Sequence, residues 1–86
     1  MTTDELRAVV LRTLGAIAPE ADLEHLDPAI EFREQLDLDS MDFLNFAIGL
    51  HGALGVDVPE AEYARLMTLN GCVAYLADKL APPDGG

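Results

Sequence analysis

Leu36-Asp37-Leu38-Asp39-Ser40-Met41-Asp42-Phe43-Leu44 is the stretch where a long irregular segment ends and an apolar helical pattern begins. Asp39 is placed to be the N-cap of that helix, because a short carboxylate there accepts a backbone N–H of the first turn. Asp42, three residues on, adds negative charge where the helix dipole favours it. Ser40 is the only serine in the chain, and it falls at the first helical position, exposed and without a capping duty. A phosphate ester on its hydroxyl would lie beside the open N–H groups of a helix N-terminus, a setting that stabilises anions. Taken alone, Asp39-Ser40 also reads as an ordinary helix start, so the surrounding chain has to decide.

Downstream, this second helix is predicted from Ser40 to Leu54, with Gly55 as its stop and Val56-Asp57-Val58 crossing to the next element. At 100° per residue, Phe43, Phe46, Ala47, Leu50 and Leu54 form one apolar stripe, while Met41, Leu44 and Ile48 form a second roughly 140° away. One face meets the core, and so small a domain has too few elements to cover the other. Gly49 and Gly52 each cost about 1 kcal/mol relative to alanine in a helix interior. Gly52, near the second stripe, is either a seat for a partner backbone or a tolerated glycine. Pro59 at a first helical position, followed by Glu60 and Glu62, predicts a short third helix through Ala64, with Leu66 and Met67 leading out. Thr68 is the N-cap candidate for a final helix in which Leu69, Cys72, Val73, Leu76 and Leu80 share a face and Lys79 suits the last turn.

Upstream, Thr2 and Glu5 have the spacing of a capping box, and Leu6, Val9, Val10, Leu14 and Ile17 form the buried face of a first helix that Pro19 ends. From Ala18 to Leu38 no period persists. Asp27-Pro28 is placed to start a single helical turn at most, and Leu23, Leu26, Ile30, Phe32 and Leu36 are spread along the segment. So long a connection in a small domain usually carries function or disorder. The spread of apolar side chains favours an ordered loop pinned across the helix ends. The predicted fold is therefore an all-α bundle of three main helices and one short third helix, with a long first loop. Residues 1–81 form the domain and 82–86 a mobile tail.

Eighty-six residues, half of them apolar, allow one domain with a modest core. A lone cysteine, Cys72, rules out an internal disulfide and suits a reducing compartment. The apolar stretches are too short to span a bilayer, and Met1-Thr2-Thr3-Asp4-Glu5 lacks the basic start of a signal peptide, so a cytoplasmic protein is expected. Sixteen acidic residues against five basic ones, a formal charge of −11, repel nucleic acid and anionic membranes and favour basic docking sites on proteins.

Over roughly Leu6 to Leu80 the chain resembles the acyl carrier proteins, whose Asp-Ser-Leu motif opens the second helix; Met41 replaces the leucine here. The resemblance rests on a first helix, a long loop, Asp39-Ser40-Met41, Val58-Pro59-Glu60 opening a short third helix, and Thr68 opening a fourth. It implies an acyl-carrier-like four-helix bundle in which a phosphopantetheinyl transferase esterifies Ser40, flanked by Asp39 and Met41, with 4′-phosphopantetheine. The arm's thiol would carry acyl groups as thioesters between acyl-loading and acyl-transferring enzymes of fatty acid, polyketide or related biosynthesis, and the carrier, a monomer, would supply no catalytic group. It also implies an acyl pocket near Phe43, Phe46, Leu50, Leu66, Cys72 and Val73. Two phenylalanines fill much of such a space, so little cavity is expected in the unloaded protein, with cargo short or held outside. Partner docking is expected on Met41, Leu44 and Ile48, with Asp37, Asp39, Asp42, Asp57, Glu60 and Glu62 as an acidic rim.

Two departures from the family pattern stand out. Asp37 occupies a position usually held by glycine, and Asn45, His51 and Gly52 occupy second-helix surface that is usually acidic. A peptidyl or aminoacyl carrier shares the serine motif, and an unmodified acidic helical interaction module is the alternative from a different class. Other chemistry finds little support. A serine hydrolase lacks its nucleophile-elbow glycines and any positioned base, which leaves His25 and His51 as surface residues. A calcium loop from Asp37 would need glycine and glutamate where Asp42 and Ile48 stand. Cysteine and histidine are too few for structural zinc, and Cys72 on an apolar face reads as a small core residue.

Overall fold

A computed structural model describes residues 1–81, and the tail expected to be mobile, 82–86, lies outside the described residues. All regular structure among the described residues is helical: α1 (Thr3–Ile17), a 3₁₀ turn (Leu23–His25), α2 (Phe32–Gln35), α3 (Ser40–Leu54), a 3₁₀ segment (Glu60–Leu66) and α4 (Leu69–Leu80). The three long helices form the bundle expected from the sequence. α1 packs against both α3 and α4, and the 3₁₀ segment packs against α4.

α1 starts at the reciprocal capping box of Thr2 and Glu5. The Thr2 hydroxyl accepts the Glu5 N–H at 3.1 Å, and the Glu5 carboxylate accepts the Thr2 N–H at 2.7 Å. Leu6, Val10 and Leu14 are buried, and Ile17 packs against the core as expected. Val9 does not join them. It lies half exposed at the edge of the buried face, whereas Leu11 packs against the core, because an edge residue is buried only where a neighbouring element lies over it.

The long connection is ordered by three buried side chains, Phe32, Leu36 and Leu38, with Leu23 and Leu26 packed partly against the core. Ile30, expected among the anchors, is 40% exposed. Asp27-Pro28 does not start a helical turn: the Asp27 carboxylate accepts the Ala29 N–H at 2.9 Å and its carbonyl accepts that of Ile30 at 3.3 Å, a side-chain-closed turn. The single helical turn comes later, at α2, because tertiary contacts select it. Phe32 packs edge-on against Phe46 with ring centroids 5.7 Å apart, and its N–H donates to the Met67 carbonyl at 2.7 Å. Gln35 ties the loop together, its amide donating to the carbonyls of Asp27 and Ile30 and accepting the Asp27 N–H.

The short third helix differs from its expected bounds. Pro59 stays outside as an extended N-cap residue, and the segment runs on to Leu66 as a 3₁₀ helix. With three residues per turn, Tyr63 and Leu66 share a face, and both pack inward. α4 is capped by Thr68, whose hydroxyl accepts the Gly71 N–H at 2.9 Å. Leu69, Cys72, Val73 and Leu76 are buried as expected, but Leu80 is 38% exposed. Tyr75, absent from the expected face, is buried. Its hydroxyl donates to the Glu62 carboxylate, while the Arg65 guanidinium sits 4.8 Å and the Lys79 ammonium 5.5 Å from its ring centre. That cluster fastens the 3₁₀ segment to α4.

Candidate functional site

Ser40 stands at the first position of α3, where the loop pinned by Phe32, Leu36 and Leu38 delivers it. Asp39 is the N-cap: its carboxylate accepts the Asp42 N–H at 2.8 Å, and the Asp42 carboxylate accepts the Asp39 N–H at 3.2 Å. The two aspartates thus close a capping box between themselves. Ser40 takes no part in it and is exposed, beside the open first-turn end of a fifteen-residue helix whose dipole favours an anion. Gly55 ends the helix in the left-handed conformation, φ 72°, that glycine adopts without steric cost.

A cleft of about 390 Å³ opens beside Ser40. Phe43, Leu44, Tyr63 and Met67 give it apolar walls, and Arg33, Asp39 and Glu60 supply its charged groups. Phe43 forms the inner wall, its ring centroid 5.7 Å from that of Phe46 and 5.8 Å from that of Tyr63. Of the six residues expected around an acyl pocket, Phe43 alone lines this cleft. Phe46, Leu50, Leu66, Cys72 and Val73 lie in the buried core cluster. Burial pushes the Cys72 thiol up to about 12, which leaves it unreactive.

The two faces of α3 separate as the sequence indicated. Phe43, Phe46, Ala47 and Leu50 are buried, whereas Met41, Leu44 and Ile48 are 63%, 40% and 59% exposed. Asp57 shares a shallow cleft with Ile48, and Glu60 shares one with Leu44; both are exposed. Asp37 is exposed beside the connection after α1, in a cleft with Ala18, Asp22, His25 and Gln35, and Asp42 is half-buried in the cap. Glu62 turns away from the stripe toward α4, where it accepts the Tyr75 hydroxyl and lies 4.0 Å from Lys79. Gly52 opens to free space, while a Cβ on Gly49 would stand 2.7 Å from the Thr13 methyl of α1.

Sequence reasoning missed three residues of the site: Arg33, Tyr63 and Met67. The 3₁₀ period that turns Tyr63 inward leaves no mark in so short a pattern, and Arg33 reaches the cleft through the aperiodic loop. His51 closes the far end of α3, about 16 Å from Ser40 along the helix axis, too far to act as a base on its hydroxyl. No helix among the described residues is long and apolar enough to cross a membrane.

Residues 4–76 match the family model described as the phosphopantetheine attachment site. An acyl carrier protein of Streptomyces coelicolor is 29% identical over 83 residues, spanning 96% of this chain and 86% of that protein. The polyketide-8 synthase acyl carrier protein 2 of Streptomyces avermitilis is 33% identical over 79 residues, 92% of this chain and 91% of that one. An acyl carrier protein of Helicobacter hepaticus is 28% identical over 75 residues, 87% and 92% respectively.

Proposed function

Because the chain belongs to the phosphopantetheine attachment family, whose members carry a 4′-phosphopantetheine group, we propose that Ser40 is its attachment point and that the protein is an acyl carrier. The observation that carries the assignment is the position of the chain's only serine: exposed, outside the Asp39–Asp42 cap, and at the open N-terminus of α3. When bound, the group supplies a flexible arm ending in a thiol that holds acyl groups as thioesters. The chain's own residues present Ser40 to a phosphopantetheinyl transferase, keep the cap rigid with Asp39 and Asp42, and offer a surface to the enzymes that load and unload the arm. Met41 flanks the attachment point on that surface.

The cargo we assign is acyl, in keeping with the names of the relatives, for enzymes of fatty acid, polyketide or related biosynthesis; peptidyl or aminoacyl cargo is the competing assignment. The cargo is short or lies outside the bundle. Supporting this, Phe46, Leu50, Leu66, Cys72 and Val73 pack within the core, and the space at Ser40 is an open cleft. Docking is assigned to Met41, Leu44 and Ile48, together with the acidic residues Asp37, Asp42, Asp57, Glu60 and Glu62. The protein works as a cytoplasmic monomer and contributes no catalytic group.

Intact mass after incubation with a transferase and coenzyme A tests the assignment. Wild type gains one arm and a folded Ser40→Ala variant gains none. A wild type unmodified by several transferases, or a modified Ser40→Ala variant, overturns it. Thioesters recovered from the native host identify the cargo, and chemical-shift changes at Leu66 and Val73 that grow with acyl length would overturn the outside placement.

A further inference from the structure

Of the chain's five basic residues, Arg7 lies 3.7 Å from Asp4, and Arg65 and Lys79 flank the Tyr75 ring. Arg12 is on α1. Among the described residues, Arg33 is the only cation lining the cleft beside Ser40, and it makes no ion pair with another of them. Its backbone is held on both sides: Phe32 before it is fully buried and hydrogen-bonded to Met67, and Leu36 after it is buried with its N–H on the Phe32 carbonyl at 2.7 Å. Arg33 therefore lines the cleft from a fixed turn.

We infer that Arg33 is the positioning residue for the phosphodiester on Ser40, pairing with it while the apolar cleft walls take the dimethyl segment that follows. This rests on Ser40 being the attachment point. The first group beyond the ester oxygen is a phosphate, anionic at neutral pH, in a molecule of net charge −11 whose aspartates 37, 39 and 42 all lie within three residues of Ser40. The α3 dipole offsets part of that repulsion only within its first turn. Arg33 supplies the mobile, always-charged fork suited to phosphate oxygens. One methylene beyond the phosphate is a carbon bearing two methyl groups, and Leu44, Tyr63 and Met67 provide apolar surface for it. The arm is thereby directed across the mouth of the cleft instead of standing free in solvent.

The test uses ¹⁵N-labelled protein in unmodified and modified forms, with Arg33→Gln, Arg33→Lys and the control Arg12→Gln. On modification of wild type, the Arg33 side-chain N–H resonance should shift, and the shift should shrink with added salt. The ³¹P resonance of the modified protein should move in Arg33→Gln, move less in Arg33→Lys, and stay at its wild-type position in Arg12→Gln. An Arg33 resonance unchanged by a confirmed mass gain, or a ³¹P resonance indifferent to Arg33→Gln, overturns the role of Arg33 and leaves Ser40 as the attachment point. A mass gain that never occurs overturns both. The wild-type comparison needs no variant, so a substitution that failed to fold would not protect the inference.

Discussion

At the scale of single residues, the two glycines of α3 look alike in sequence and differ in place. Gly49 faces α1, where an added Cβ would meet the Thr13 methyl at 2.7 Å, and the Thr13 hydroxyl is already engaged with the Val9 carbonyl at 2.8 Å. Gly49→Ala should therefore lower the denaturation midpoint despite a helix-propensity gain of about 1 kcal/mol. Gly52→Ala, with nothing nearby, should raise stability by about 0.5–1 kcal/mol. Adding Thr13→Ser to Gly49→Ala removes the offending methyl and should recover part of the loss. Equal stabilisation by both alanines would refute the close approach of the helices. Two other residues set an alkaline limit. Burial raises the Cys72 thiol from 9 to about 12. Burial, with the hydrogen bond to Glu62, raises the Tyr75 phenol from 10 to about 12. Both are acids favoured neutral in the fold, so the unfolded chain releases their protons first. Stability is unaffected by them below pH 9 and should fall as pH rises from about 9 to about 12, with a shallower fall in Tyr75→Phe.

At the scale of elements, α3 is one helix with two surfaces of different meaning. Leu50 is fully buried, and Leu50→Ala should cost about 2–5 kcal/mol in chemical denaturation. Leu44 and Ile48, 40% and 59% exposed, should cost less than about 1 kcal/mol each on truncation to alanine. The cap is separable from both: Asp39→Ala should cost about 1 kcal/mol by freeing the Asp42 N–H. Similar destabilisation by Leu44→Ala and Leu50→Ala would place both on one buried face. α2 shows a different economy. Four residues are too few to stand as a helix alone, and the turn exists because Phe32 enters the core between α3 and the 3₁₀ segment.

At the scale of the whole molecule, in the docking proposed above, the charge of −11 would attract basic partners from a distance, while the Met41, Leu44 and Ile48 stripe would supply apolar area at about 25 cal/mol per Å² buried. The two contributions separate with salt. Leu44→Ala and Ile48→Ala should slow arm transfer at every ionic strength. Asp37→Asn and Asp42→Asn should slow it chiefly at low salt, with the difference vanishing near 1 M, where the screening length is about 3 Å. Transfer rates measured across a salt series distinguish them. Normal rates in Leu44→Ala and Ile48→Ala at all salt concentrations would remove the stripe from docking.

Local chemistry written in consecutive residues was legible in the sequence. The Thr2, Asp39 and Thr68 caps, the Gly55 stop, the span of α3 and its two stripes, and the exposed Ser40 all follow from periodicity and from side chains that bond backbone groups three positions away. The tertiary structure alone decided what depends on neighbours distant in the chain. Phe32 became a helical turn because Phe46 and the Met67 carbonyl receive it, and Tyr75 was buried because Glu62, Arg65 and Lys79 satisfy its hydroxyl and cover its ring. Val9, Ile30 and Leu80 stay partly exposed, whatever their hydrophobicity, because none of the described elements lies over them. The cleft at Ser40 belongs to this second class. Its lining comes from α2, α3 and the segment from Glu60 to Met67, which periodicity treats as separate elements, and only their packing brings Arg33 and Ser40 to one cleft.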